Sequence, residues 1–260
     1  MKRPKLNRKQ RQLRLGLPPL VNRISELLEA PPALPMLDSQ SVARRRECYL
    51  RLREASYRLV NEKVLPAYLG DAIEFAGSSL GMLDGKVLSL QTQDESAVLM
   101  DHAIFNYRVE GRNIVERYGE AHGEELTSLE RKWLVGAEQS RHTLVLIAEA
   151  IPGLGMTAHD VFWDEQLLIV DLNFSRSKVV GLTLATRLIP VDDYYITSGA
   201  ALPIVSHHAF LEIGAYLQRT RLELEKIKDL PPGRATLLEA FIIRTLLDEQ
   251  SSERVRYVDP

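Results

Sequence analysis

The chain has 260 residues, 45% hydrophobic and 26% charged, a composition typical of a soluble protein with a sizeable core. Its net charge of −2 excludes an overall attraction to nucleic acid or to an acidic membrane, and its one cysteine, Cys48, excludes an internal disulfide and a multi-cysteine zinc site. No apolar run could span a bilayer and no signal peptide is present, so we expect a cytoplasmic protein without membrane contact.

Residues 1–19 hold the strongest charge asymmetry in the chain, and we expect them to form a basic, disordered arm. No acidic or aromatic residue occurs before position 15, so the rest of the chain carries the excess of acid. This pattern is typical of a nucleic-acid-binding tail, and a solvated chain end without a partner is the alternative. The candidate phosphate-binding residues are Lys2, Arg3, Lys5, Arg8, Lys9, Arg11 and Arg14.

Residues 20–140 are expected to be helical, because apolar residues recur at helical spacing between charged ones. Asp38 or Ser39 caps the longest helix, which continues past Val60 until Pro66 bends or ends it. Asp84-Gly85 indicates a hairpin between two short runs. The other helices are predicted at Leu20–Ala30, Glu95–Tyr107, Ile114–His122 and Glu124–Ser140.

Residues 141–203 have the pattern of a small antiparallel meander, in which apolar runs alternate with turn residues. About five short strands with open edges favour closure, so we predict an SH3-like or OB-like barrel and an α+β fold. Gly181 is expected to bend the fourth strand. The predicted strands are Thr143–Ile151, Met156–Trp163, Leu167–Asn173, Val179–Ile189 and Tyr194–Thr197.

Residues 204–250 predict a C-terminal helical hairpin, with helices at 204–228 and 235–247 separated by Pro231-Pro232-Gly233. The second helix has more apolar residues than one solvent-facing helix needs, so it is either buried or contacts a protein partner. These residues are Leu237, Leu238, Phe241, Ile242, Ile243, Leu246 and Leu247.

Patterns that would identify a reaction are absent. His207 and His208 are neighbours on a helix and point about 100° apart, so they cannot both hold one ion. Gly153-Leu154-Gly155 joins two strands and is interpreted as a hairpin turn rather than a phosphate loop. Cys48 is interpreted as a small core residue, and the Arg44-Arg45-Arg46 run as a solvated helix face, with phosphate contact as the alternative. We therefore assign no catalytic residue, no metal site and no cofactor.

Several packing and turn features occur together between residues 100 and 205. They are Phe105-Asn106-Tyr107, the helix around Leu126–Leu134, Ser140, the Pro152-Gly153-Leu154-Gly155 turn, Asp160, and Ser175-Arg176 ahead of Gly181. In these features the chain resembles a poorly characterised domain of bacterial proteins, many of which end in a SEC-C zinc motif. The C-terminus here, SSERVRYVDP, has no cysteine or histidine cluster, so a zinc-dependent role does not carry over.

Two hypotheses about function follow. In the first, which we favour, the protein is a non-catalytic interaction module that binds nucleic acid through the arm, or a protein partner through the C-terminal helices. In the second, it is an enzyme of unknown reaction whose site assembles from distant parts of the chain. A deep pocket with converging ionisable groups would favour the enzyme, and a shallow barrel groove near the arm would favour the module.

Overall fold

The computed structural model describes residues 18–29, 38–90, 92–176 and 179–249. Within these ranges the fold is α+β, with helices packed around one small barrel, as predicted. The seven cations of the predicted arm, Lys2, Arg3, Lys5, Arg8, Lys9, Arg11 and Arg14, lie outside the described residues. None of the described helices is both long enough and apolar enough to cross a membrane.

Side-chain caps set the starts of four of the described helices before the barrel. Asp38 accepts a hydrogen bond from the Ser41 N–H, and Thr92, Asn113 and Thr127 each form a reciprocal capping box with a glutamate three residues later. The described α-helices before the barrel are Pro19–Glu29 (α1), Ser39–Arg58 (α2), Leu65–Tyr68 (α3), Gly70–Leu80 (α4), Gln93–Asn106 (α5), Ile114–His122 (α6) and Ser128–Glu138 (α7).

The helical path does not end at Pro66, because the hydrogen-bond spacing of the helix changes just before that residue. Leu59–Val64 is a π-helical turn, in which the Leu65 N–H donates to the Val60 carbonyl five residues back. Pro66 has no N–H to donate, so the looser turn ahead of it lets the backbone continue into α3. The predicted hairpin at Asp84-Gly85 is confirmed as Leu83–Asp84 (β1) paired with Val87–Leu88 (β2).

The predicted barrel is confirmed, and it is closed in the order β3-β4-β5-β7-β6. The fourth barrel strand lies beside the first, and this Greek-key arrangement of five strands favours the OB-like alternative. One contact, between β5 and β7 at Ile169 and Tyr195, is parallel. An odd number of strands cannot alternate in direction around a closed ring, so a purely antiparallel barrel is impossible here. The strands are Arg141–Ile151 (β3), Gly155–Asp160 (β4), Glu165–Val170 (β5), Thr183–Val191 (β6) and Tyr194–Ile204 (β7).

Three sequence interpretations need correction. Gly181 lies in the turn before β6 rather than inside a strand, with a φ of 83°. The helix predicted at 204–228 is shorter, His207–Arg219 (α8), because Arg221 takes a φ of 53° and a separate 3₁₀ turn, Leu224–Asp229, follows. Cys48 is exposed on α2, not a core residue.

Two cores hold the molecule together. Alternate barrel residues such as Val145 and Ile147 fill the barrel interior, while Leu144 and Leu146 point outward into a larger core shared with the helices. The last helix, Pro232–Asp248 (α9), buries one face in that core, which explains its excess of apolar residues. Of the seven apolar residues that the sequence singled out there, Leu237 is the exposed one, at 63%.

Candidate functional site

A cavity of about 210 Å³ lies where the barrel meets the C-terminal helices. Its walls come from the end of α5, the start of β3, the middle of β6, the 3₁₀ turn and the first half of α9. These segments are far apart in sequence, so only the tertiary fold brings their side chains together. The ionisable residues in the walls are Arg108, Glu138, Arg141, His142, Arg187, Lys228 and Glu239.

Arg187 is the centre of a buried ionic cluster at one wall of this cavity. Its Nε donates to Asp101 Oδ2 at 2.9 Å, and its Nη2 lies 2.7 Å from both carboxylate oxygens of Glu239. The guanidinium also lies over the Phe105 ring, 4.3 Å from the centroid. Arg187, Asp101 and Glu239 are each at most 6% exposed, so the three charges depend on one another for compensation.

The barrel register places His142 beside this cluster. His142 on β3 is the direct cross-strand partner of Arg187 on β6. On the other side of β6 the pairing with β7 shifts register between Thr186 and Leu188, which is a β-bulge opposite Arg187. Bulges re-aim nearby side chains, and here the bulge accompanies a charged residue that leaves the barrel surface towards the helices.

Burial and neighbouring charges set the protonation states in the cluster. Burial lowers the pKa of His142, Arg187 lowers it further and Glu239 opposes the shift, so the imidazole is neutral at neutral pH. Burial alone would raise the pKa of Glu239, but the charge of Arg187 and a hydrogen bond with His102 outweigh it, and the pKa falls below its usual range. The cavity therefore combines a carboxylate, a guanidinium and a neutral imidazole.

Two further residues of helix α5 contact Glu239 in the ionic cluster. The Nδ1 atom of His102 lies 3.1 Å from Glu239 Oε1, and the Asn106 amide donates to the same oxygen at 2.6 Å. Thr236 donates to Asn106 Oδ1 at 3.0 Å, which ties α9 to α5. Two buried atoms, Asp101 Oδ1 and His102 Nε2, have no hydrogen-bond partner within the described ranges. The cluster therefore retains hydrogen-bonding capacity that its own members do not use.

A second arginine, Arg141, forms the neighbouring wall of the cavity, and its guanidinium already has two carboxylate partners. Arg141 lies between the Trp163 and Tyr195 rings and binds Asp160 and Glu165. Asp160 is completely buried and also accepts hydrogen bonds from the Phe162 and Trp163 backbone N–H groups. Its role is to hold the turn between β4 and β5, which presents both aromatic residues to the cavity.

The residues considered from sequence do not converge on this site. His207 and His208 lie at the start of α8, where His208 contacts Glu249 at 2.8 Å. The adjacent carboxylates Asp192 and Asp193, a pair that the sequence alone could also have offered, lie in the turn between β6 and β7 and bind Lys132 and Arg45. The described residues contain no group of three or more histidine, cysteine, aspartate or glutamate side chains that could hold a metal ion.

Sequence reasoning missed Asp101, His102, Arg187 and Glu239, although each carried a signal. Arg187 interrupts the apolar strand around it, and Glu239 interrupts the apolar run of α9. A charge inside an otherwise apolar segment is expected to be buried and therefore to need a partner. The signal identifies the residues but does not show which partner each one has.

Comparison with known proteins gives a family but no activity. Residues 43–210 match a family described as a family of unknown function (DUF7986), and this range is more than half of the chain. The match covers the barrel, Asp101, His142 and Arg187, whereas Glu239 and the rest of α9 lie beyond it. No curated protein and no solved structure matches the chain. The chain therefore belongs to this family of unknown function (DUF7986).

Proposed function

We propose that the protein binds a small carboxylate in the cavity between the barrel and α9, and that neutral His142 accepts a proton from a second, proton-bearing group of the same ligand. The observation that carries this proposal is the convergence of Arg187, His142 and Lys228 on one cavity from β6, β3 and the 3₁₀ turn. It supports the second of the two hypotheses, an enzyme whose site assembles from distant parts of the chain. Deep pockets with converging ionisable groups are the usual location of such sites.

The arrangement of cations favours an anionic ligand. Asp101 and Glu239 use Nε and Nη2 of Arg187, and Nη1 has no partner among the described residues. Lys228 is exposed at the cavity wall and forms no ion pair with another described residue. A carboxylate fits both groups, because guanidinium and ammonium donors form their strongest hydrogen bonds with anionic oxygens.

The remaining walls limit the size and character of the ligand. A volume of about 210 Å³ is below the roughly 300 to 1,000 Å³ of pockets for drug-sized molecules, so we expect a compact metabolite. Phe162, Trp163 and Leu230 provide apolar surface for its body. An aromatic or short aliphatic acid has this combination of one charge and one apolar part.

His142 is the group suited to acid–base chemistry. Because burial lowers its pKa, the ring is neutral at neutral pH and can accept a proton. Nearby Glu239 then stabilises the imidazolium that forms. Arg187 opposes that charge, which favours return of the proton to the ligand.

The test uses matched pairs of probes. Phenylacetate and hexanoate are compared with phenylacetamide and hexanamide, which keep the shape of each acid but remove its charge. Calorimetric titration and thermal unfolding of the full chain should show binding of the acids and weaker binding, or none, of the amides. Equal affinities for acid and amide would contradict the proposed role of the cations.

Two variants of α9 locate the binding. Ala235 lines the cavity and is exposed, so Ala235→Trp should block it without disturbing the core. Leu237→Trp places the same ring two residues away, at a position that does not line the cavity. Loss of acid binding in both variants, or in neither, would place the site elsewhere.

The other expectations remain predictions. They are a nucleic-acid or protein partner, a cytoplasmic location, a bacterial origin and kinship with proteins that carry a SEC-C motif. For the protein partner, Leu237 is the exposed apolar residue of α9 that such a contact would use first. Purification from the native cells with and without nuclease treatment would test the class of partner.

A further inference from the structure

Helix α2 carries a concentration of positive charge that the cavity does not use. Its 20 residues contain Arg44, Arg45, Arg46, Arg51, Arg53 and Arg58, against two glutamates. The whole chain is slightly acidic, with a net charge of −2. The helix is therefore a local basic surface on an otherwise acidic molecule.

Most of these arginines have no acidic partner. Arg45 pairs with Asp193, and Arg58 pairs with Glu54 on the same helix. No described residue forms an ion pair or hydrogen bond with the side chain of any of the other four, Arg44, Arg46, Arg51 and Arg53. They differ in this respect from Arg141 and Arg187, each of which has two carboxylate partners.

One face of α2 alternates these charges with exposed apolar groups. Arg46, Leu50, Arg53 and Tyr57 occur at intervals of four, three and four residues, which places them on one stripe of the helix. Leu50 is 50% exposed and Tyr57 is 69% exposed. The helix is anchored through a neighbouring face, about 100° around its axis, where Tyr49 and Leu52 are buried, so Leu50 and Tyr57 are not needed to attach it.

The stripe runs along two glycine positions of the barrel. A methyl group placed on Gly153 would lie 3.8 Å from Arg46 Nη1, and one on Gly199 would lie 3.6 Å from Arg53 Nη2. Gly153 belongs to the turn between β3 and β4, and Gly199 belongs to β7. The guanidinium groups therefore border the barrel surface, and about 10 Å of helix axis separates them.

We infer that this stripe, Arg46, Leu50, Arg53 and Tyr57, is a binding surface for single-stranded nucleic acid. The two arginines contact successive parts of the phosphate backbone, and the Tyr57 ring stacks on a base. Charged side chains that follow a backbone, together with an exposed aromatic ring, are the elements by which proteins bind single strands without sequence preference. Loops of five-stranded Greek-key barrels also bind oligonucleotides, although fold alone does not establish function.

A membrane surface fits this stripe less well. A helix that lies on a membrane inserts a broad apolar face, and the apolar face of α2 is already buried against the core. Leu50 and Tyr57 alone offer little area for insertion. Nucleic acid requires only accessible cations and one ring, and α2 presents an exposed Arg46, a partly exposed Arg53 and the exposed Tyr57 ring.

The experiment measures fluorescence anisotropy of labelled oligo(U), oligo(dT) and a duplex DNA with the full chain at several salt concentrations. The double variant Arg46→Ala/Arg53→Ala should weaken binding of the single strands at low salt by about tenfold or more. Its log–log salt dependence should be shallower by about 1.4, since each lost phosphate contact on a single strand is worth about 0.7. The charge-matched control, Lys86→Ala/Arg219→Ala, removes two exposed cations from other surfaces and should leave both quantities almost unchanged.

Variants of Tyr57 distinguish the contribution of base stacking to the affinity from that of charge. Tyr57→Ala should weaken binding by about tenfold without changing the salt slope, and Tyr57→Phe should keep the affinity. The inference is overturned if neither single strand binds at low salt, if the two double variants behave alike, or if the chain binds phosphatidylserine vesicles and not RNA or DNA. Binding of carboxylates in the cavity is measured separately, so either result can stand without the other.

Discussion

The buried ionic cluster around Arg187 and the stripe on α2 that contains Arg46 and Arg53 use arginine in opposite ways. At the junction, Arg187 is 5% exposed and is held by Asp101 and Glu239. On α2, the exposed Arg46 and the partly exposed Arg53 have no carboxylate partner among the described residues. Burial makes a charge depend on its partners, whereas an exposed charge is satisfied by water and remains free for a ligand. The comparison predicts that substitutions at the junction change stability and that substitutions on α2 change binding.

The largest effect is expected from Arg187→Met. The change leaves Asp101 and Glu239 buried without their shared cation, which should lower the free energy of unfolding by about 3 to 5 kcal/mol. Denaturant unfolding followed by circular dichroism measures it, with Arg46→Met as the exposed control. If both variants lost the same amount, the contrast between the two regions would be wrong.

A smaller effect is expected at Glu130, where a carboxylate at the start of α7 binds Lys63 at 2.7 Å. Burial would raise the pKa of Glu130, but the hydrogen bonds from Lys63 and Thr127 lower it from 4.5 to about 2. A lowered pKa means that the stabilisation is present above pH 4.5 and is lost as the pH falls towards 2.

Glu130→Gln should therefore cost about 2 kcal/mol at neutral pH, a value reduced for the half-exposed Lys63. The loss should shrink as the pH falls below 4.5, because the carboxylate of the unfolded chain is then protonated and that of the folded wild type follows only near pH 2. Unfolding free energies at several pH values measure both quantities. Glu124→Gln, an exposed glutamate nearby, is the control, and a pH-independent difference would argue against the assigned ion pair.

The smallest effect on stability is expected from deleting residues 1 to 15. If Lys2, Arg3, Lys5, Arg8, Lys9, Arg11 and Arg14 contact phosphates, the deletion should flatten the salt dependence of nucleic-acid binding and leave the melting temperature nearly unchanged. Combining the deletion with Arg46→Ala/Arg53→Ala shows whether the arm and the stripe on α2 make additive contributions to the salt dependence of binding. An unchanged salt slope would mean that the arm is only a solvated tail.

Local signals in the sequence were sufficient for most of the secondary structure. Asp38 marks the start of α2, Asp84-Gly85 marks the hairpin and the turn residues around Gly153 separate two barrel strands. Each of these depends on a few neighbouring residues, through a capping hydrogen bond or a permitted backbone angle. The helix predicted at 204–228 was too long because Arg221 adopts a positive φ, which an arginine at that position does not predict.

The candidate site could not be predicted in the same way. Asp101, Arg187 and Glu239 are separated by 86 and 52 residues, and nothing in their neighbours indicates that they meet. The strand register that places His142 beside Arg187 depends on barrel closure, and the parallel contact that completes the closure has no local signature. The free arginines of α2 had to be distinguished from the paired ones by their contacts.

The sequence by itself thus determined the fold class, the barrel, the caps of the longest helix and the apolar excess of α9, because these depend on short-range periodicity and backbone preference. Only the tertiary structure decided that the apolar face of α9 is buried by its own chain, that one barrel contact is parallel, that Cys48 is exposed and that distant segments enclose a cavity. The physical reason is that a charge or an apolar side chain acquires its role from what packs against it. The sequence around such a residue can show that it needs a partner, but it does not show which distant residue that partner is.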